Sequence, residues 1–167
     1  MTYVNNKYSA VQLRELTTMD DYLETVFVRV IAKQKNIIYG CAYRPPGADS
    51  DSFLSKMSDK LNYLRTNYPG VRVQIMGDFN LNLFTSSSCR VVREYVSLMH
   101  SFDFFPVVLR PTRISNTSIT LIDHIWVNKT SEITDTGIIL TNISDHFDLV
   151  LLSKKHHGWS RKQRREI

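Results

Sequence analysis

Cysteine is nearly absent from this chain, and the two that occur, Cys41 and Cys89, share no metal-ligand spacing. A disulfide framework and a cysteine-held zinc site are therefore excluded, and both residues read as thiols of a reducing compartment. Long apolar runs are absent too: none approaches the roughly 20 residues that a membrane-spanning helix needs. The opening Met1-Thr2-Tyr3-Val4-Asn5-Asn6-Lys7 is polar and lacks the apolar stretch of a signal peptide. The glycosylation-type triplets starting at Asn116, Asn128 and Asn142 then read as chance matches. These absences point to an intracellular setting. Residues 1–153 also lack an excess of either charge, with 15 basic side chains against 15 acidic ones.

The net charge of +5 sits instead in residues 154–167, where six Lys and Arg face the single Glu166. Such a tail suits a nucleic-acid contact, a nuclear address or a linker to a following domain. The expectation is one domain over 1–153 followed by a basic tail or linker over 154–167. A length of 167 residues with 43% hydrophobic and 22% charged content fits a single globular core.

Residues 11–16, 24–33 and 36–43 read as strands, the last stopped by Arg44-Pro45-Pro46-Gly47 because proline cannot donate to a ladder. Phe53, Leu54, Met57, Leu61 and Leu64 fall at helical spacing, so 50–67 reads as a helix capped by Asp49, Ser50 or Asp51. A β-branched run over 71–76 leads into Gly77-Asp78-Phe79-Asn80. Residues 88–103 form a second helical pattern. They are followed by an apolar stretch at 105–109, a loop at 110–118 and strands at 119–127, 137–140 and 147–152. Strands alternating with two helices, several joined as hairpins, give an α/β sheet of mixed direction with helices packed on it.

Three acidic positions stand out. Asp78 and Asn80 lie two apart at a strand end, so on extended backbone their side chains share a face. Such a pair can hold and deprotonate a nucleophile while donating to an anion, although Gly, Asp and Asn are also ordinary turn residues. Asp123 sits inside an otherwise apolar segment, and a buried carboxylate needs a partner. His124 would point to the opposite face of that strand, which leaves His146 of Ser144-Asp145-His146 as the better partner. An Asp-oriented His suits a general base or a cation facing a phosphate.

In order, Tyr43-Arg44-Pro45-Pro46, Gly77-Asp78-Phe79-Asn80, Arg110-Pro111-Thr112-Arg113-Ile114, Leu121-Ile122-Asp123-His124-Ile125 and Ser144-Asp145-His146-Phe147 resemble the endonuclease/exonuclease/phosphatase superfamily. Within it the chain is most similar to the endonuclease domain of non-LTR (LINE-type) retrotransposons. That resemblance implies a DNase I-like, two-layer α/β sandwich of mixed and antiparallel sheets flanked by helices. It also implies a metal-dependent phosphodiesterase that nicks DNA. The family's opening strands, with an Asn and a metal-binding Glu, have no counterpart in residues 1–23. The resemblance thus begins inside the domain, with its first strands missing, and implies exposed sheet surface and weak nicking by this chain alone.

By the same resemblance, Asp78 orients or deprotonates the attacking water and Asn80 holds water and phosphate. His146, oriented by Asp123, faces the scissile phosphate, and Tyr43 donates its hydroxyl to it. Asp145 binds the divalent metal, Mg²⁺ or Mn²⁺. Arg44, Arg110, Thr112 and Arg113 are the implied nucleic-acid contacts, DNA is the partner, and a reverse transcriptase is the expected following domain. A catalytically inactive remnant that only binds nucleic acid is the alternative.

Overall fold

The computed structural model describes residues 3–32, 35–115, 117–140 and 144–153. The basic tail, and with it the expected boundary at 153, lies outside them. Six strands form one mixed sheet in the order β1-β2-β3-β4-β8-β5. β1 is Ser9–Gln12, β2 Glu24–Ala32, β3 Lys35–Tyr43, β4 Arg72–Asp78, β5 Phe105–Pro106 and β8 Asp123–Val127. β3 and β4 are parallel, and every other neighbouring pair is antiparallel. A parallel pair needs a crossover, and helix α1 (Ser50–Asn67) supplies it.

α1 begins where Asp49 accepts from the Ser52 N–H at 2.9 Å, one of the caps expected from sequence. Its Phe53, Met57, Leu61 and Leu64 are buried. The second helix, α2 (Arg90–Ser101), buries Val92, Tyr95 and Met99. It is shorter than its pattern suggests, ending just ahead of Asp103 in the left-handed region at φ 61°. Both helices cover the face of the sheet that carries Phe27, Ile38, Val73, Ile75 and Trp126, forming the main core.

The opposite face carries a second layer. β9 (Ile133–Ile139) and β10 (Asp148–Ser153) pair antiparallel. Their Ile133, Ile138, Leu149 and Leu151 pack on Val108, Leu121, Ile125 and Val127. Arg72 to Glu132 at 2.9 Å and Gln74 to Ser153 at 3.2 Å tie this layer to β4. Among the described residues the second layer of the sandwich is this one strand pair. At the sheet's far edge, all four β1 residues are exposed, as expected of a sheet that lacks neighbouring strands.

Three strand readings also differ from expectation. Residues 11–16 are not one strand: β1 ends at Gln12, and Arg14–Leu16 turn into a 3-10 helix that buries Leu16. β9 starts four residues before the expected 137. The segment 119–127 is broken: β7 (Ile119–Thr120) pairs with β6 (Arg113–Ile114) as a separate hairpin, and β8 starts at Asp123. Side chains from elsewhere in the chain cause the interruption. The Leu121 N–H is taken by Asn82 Oδ1, and the Ile122 and Asp123 N–H groups by Thr112 Oγ1, so side chains replace the ladder there.

Candidate active site

Strand register assembles the site. Glu24, Tyr43, Asp78 and Asp123 lie side by side on β2, β3, β4 and β8 as direct cross-strand partners. Directly opposed residues share a face, and this is the face turned away from the helices. Gly77 makes the alignment feasible, because a Cβ there would stand 1.7 Å from the Ala42 carbonyl oxygen of β3. Only glycine lets the two backbones run this close just before Asp78.

Beyond Asp78 the chain turns sharply. Asp78 Oδ1 accepts the Asn80 backbone N–H at 2.9 Å, with Asn80 in the left-handed region at φ 48°. Asn tolerates that conformation better than most residues. The Asn80 carboxamide donates to the Arg44 carbonyl oxygen at 2.9 Å, tying the ends of β3 and β4 together and leaving its own oxygen available.

His146 arrives from the loop before β10. Its Nδ1 stands 3.1 Å from both carboxylate oxygens of Asp123. Facing two acceptors, Nδ1 takes the proton, and Nε2 becomes the ring atom free for other work. Donor atoms of Asp78, Asp123 and His146 all lie within 4.8 Å of one another. Burial, first, and the Asp123 carboxylate raise the Asp78 pKa above its ordinary value, against the Asn80 N–H that lowers it.

The structure distributes the remaining sequence-derived residues differently. Tyr43 is 39% exposed on the strand position beside Asp78. Asp145 is exposed and turned to Arg113, whose Nε donates to it at 2.6 Å, and this guanidinium holds its pKa below the usual value. It stands outside the group formed by Asp78, Asp123 and His146. Arg44, one of the implied nucleic-acid contacts, is buried, stacked 5.3 Å over the Phe53 ring, and donates to the Ala48 carbonyl. Thr112 is fully buried and makes backbone-directed bonds instead of facing solvent. Arg110 is exposed, and Arg113 is half-exposed in its ion pair.

Two supporting residues were not singled out as such in the sequence. Asn82 accepts from both Phe84 and Leu121, joining the loop after β4 to the start of β8. His124, on the helix face, lies 3.0 Å from the Leu81 carbonyl and 3.2 Å from that of Leu121 through Nε2, and stacks on Phe79 at 5.0 Å. An Asn two residues beyond an Asx-type turn is a weak signal of the first. The alternation along β8, which sets His124 opposite Asp123, is the signal of the second.

Burial pushes the His124 pKa down to about 4 from 6.5. A depressed folded pKa means stability that is present above 6.5 and lost as pH falls through about 4. Tm should therefore drop across that window by the equivalent of roughly 3 kcal/mol. Thermal melts against pH check this, and His124→Gln, which cannot titrate, should flatten that part of the profile.

No family model matches this sequence, and no curated protein matches it either. Solved structures do match in shape. The endonuclease domain of TRAS1, a telomere-specific non-LTR retrotransposon, superposes with a TM-score of 0.74 at 15% identity, covering 90% of this chain and 71% of that one. An endonuclease/exonuclease/phosphatase family protein from Leptotrichia buccalis gives 0.58 at 16% identity, covering 78% of this chain and 54% of the other. Its counterpart from Bacteroides thetaiotaomicron gives 0.53 at 12% identity, covering 86% and 62%. This chain has the DNase I-like α/β fold shared by the endonuclease/exonuclease/phosphatase proteins and the endonuclease domain of a non-LTR retrotransposon.

Proposed function

We propose that this chain is the endonuclease domain of a LINE-type element, hydrolysing one DNA strand at a phosphodiester with Mg²⁺ or Mn²⁺. The observation that carries this reading is the Asp123–His146 pair, closed at 3.1 Å within reach of Asp78 at the end of the central strands. Asp78 takes the proton of the attacking water, helped by a raised pKa that makes it a stronger base once ionised. Asn80 offers its free carboxamide oxygen to the same water. Asp123 fixes the His146 ring, whose imidazolium form would donate from Nε2 to a phosphate oxygen, and Tyr43 adds a hydroxyl from the neighbouring strand.

The donor set suits a hard divalent ion, with two carboxylates close together beside an imidazole. Asp78 and Asp123 would supply its oxygen donors. When bound, the ion supplies Lewis-acid stabilisation of the phosphoryl oxygen and the leaving group.

A second reading, a nucleic-acid-binding remnant without turnover, draws on Asp145. The expected metal carboxylate is engaged by Arg113 and stands outside the donor group. A supercoiled-plasmid assay separates the two readings. Slow relaxation that needs Mg²⁺ or Mn²⁺ and stops with chelator supports the nuclease. No relaxation above buffer, with DNA still bound, supports the remnant.

In this reading residues 1–153 are the nuclease-type domain, the cell nucleus is its place of action, and a reverse transcriptase follows it in a longer polyprotein. No helix among the described residues is long and apolar enough to cross a membrane. DNA affinity is assigned to the tail, because 1–153 is neutral overall and 154–167 holds the whole +5. Each phosphate contact adds roughly 0.9 to the slope of log affinity against log salt. Removing 154–167 should weaken duplex binding and flatten that slope by several units in a titration at two salt concentrations. Unchanged affinity and slope would move binding to the exposed Arg110 and the rim around it.

A further inference from the structure

We propose that Thr112 is the positioning residue that sets the Asp123–His146 pair, holding both partners through a single buried side chain and its own backbone. The inference rests on the nuclease reading only for its rate measurement. Thr112 is 0% exposed, where the chain segments around it, Asp123 and His146 meet. Its Oγ1 accepts the Ile122 N–H at 3.2 Å and the Asp123 N–H at 3.0 Å, which fixes the backbone from which the Asp123 carboxylate projects. Its carbonyl accepts the Phe147 N–H at 2.8 Å, directly beyond His146, and its own N–H donates to Thr120 at 2.9 Å.

Neighbouring residues extend the clamp. Arg113 forms a β-bridge with His146, and Ile114 donates to the Asp145 carbonyl at 3.3 Å. The Arg113–Asp145 ion pair closes the same seam. The carboxylate and the imidazole come from segments 23 residues apart, and Thr112 bonds the backbone of both segments, at Asp123 and at Phe147. Catalytic groups must be held within about half an ångström of their working geometry by such supporting bonds.

Chemistry specifies the side chain. Two converging backbone N–H groups need one oxygen with two lone pairs, which a hydroxyl supplies. Thr112→Val keeps the shape, removes that acceptor and leaves both N–H groups buried without a partner. Thr112→Ser keeps the acceptor and loses only a methyl group.

The test uses the full chain with both variants, plus Thr112→Ala should Thr112→Val fail to fold, with circular dichroism confirming the fold. The first readout is the downfield imidazole Nδ1–H proton resonance of His146, which a hydrogen bond to Asp123 protects from exchange. It should be present in the unaltered chain and in Thr112→Ser, and lost in Thr112→Val. The second is metal-dependent nicking: kcat should fall about tenfold or more in Thr112→Val with KM for DNA little changed, and recover in Thr112→Ser. A folded Thr112→Val or Thr112→Ala that keeps the His146 resonance overturns the proposal. An unaltered chain that shows the resonance but does not nick DNA sinks the nuclease reading instead, and the resonance comparison alone then decides the role of Thr112.

Discussion

Asp78→Asn should lower metal-dependent nicking by about 10²–10⁴-fold, the usual worth of a positioned general base, while making the protein more stable. The two effects share one cause. Burial raises the Asp78 pKa above its ordinary 3.8, so the folded protein binds that proton more tightly than the unfolded chain does. Such a group contributes stability fully below 3.8 and loses it as pH rises through the folded value. At neutral pH the ionised carboxylate is therefore a cost, which the neutral amide avoids while its oxygen still accepts the Asn80 N–H. Activity runs the other way, since a base must be ionised. Paired measurements of nicking rate and Tm at pH 7 check both. A variant that is less stable, or as active as the unaltered chain, contradicts the assignment.

His146→Ala and Asp123→Asn should each cost about 10²–10⁴-fold in rate, and the double variant little more than either alone. The pair works as a unit: the Asp123 carboxylate selects the ring tautomer, and the ring does nothing useful if it is free to turn. Asp123→Asn keeps the size of the group, but its amide can present N–H to Nδ1 and reverse the tautomer. A double-mutant cycle on single-turnover rates measures the coupling. Additive losses would mean that the two residues act separately and that their 3.1 Å contact is incidental to function.

Elements whose causes are local were legible in the sequence. The Phe53-Met57-Leu61-Leu64 stripe and the Asp49 cap give α1, and the β-branched run before Gly77 gives β4. The Asp123–His146 partnership could be reasoned out because an acidic residue in an apolar strand demands a partner and alternation removes His124. What was not legible depends on groups distant in sequence. The break between β7 and β8 is made by Thr112 and Asn82, whose side chains reach across the fold to take N–H groups that a ladder would use. Arg44 is a nucleic-acid contact by resemblance, and its stacking over Phe53 appears only once α1 is in place. Asp145 is a metal ligand by resemblance, and its ion pair with Arg113, 32 residues away, could not be foreseen. Asn82 apart, the residues were noticed in the sequence, and their partners were fixed only by folding.

The central claim is that Asp78, Asn80, Asp123 and His146 make one phosphodiester-cleaving site. Its most direct test is single-turnover cleavage of an end-labelled DNA duplex by the full chain and by Asp78→Asn, each with Mg²⁺, with Mn²⁺ and with chelator. The account predicts slow strand cleavage by the unaltered chain that needs metal and is lost in the variant. Absence of cleavage by the unaltered chain, or equal cleavage by both proteins, would contradict it.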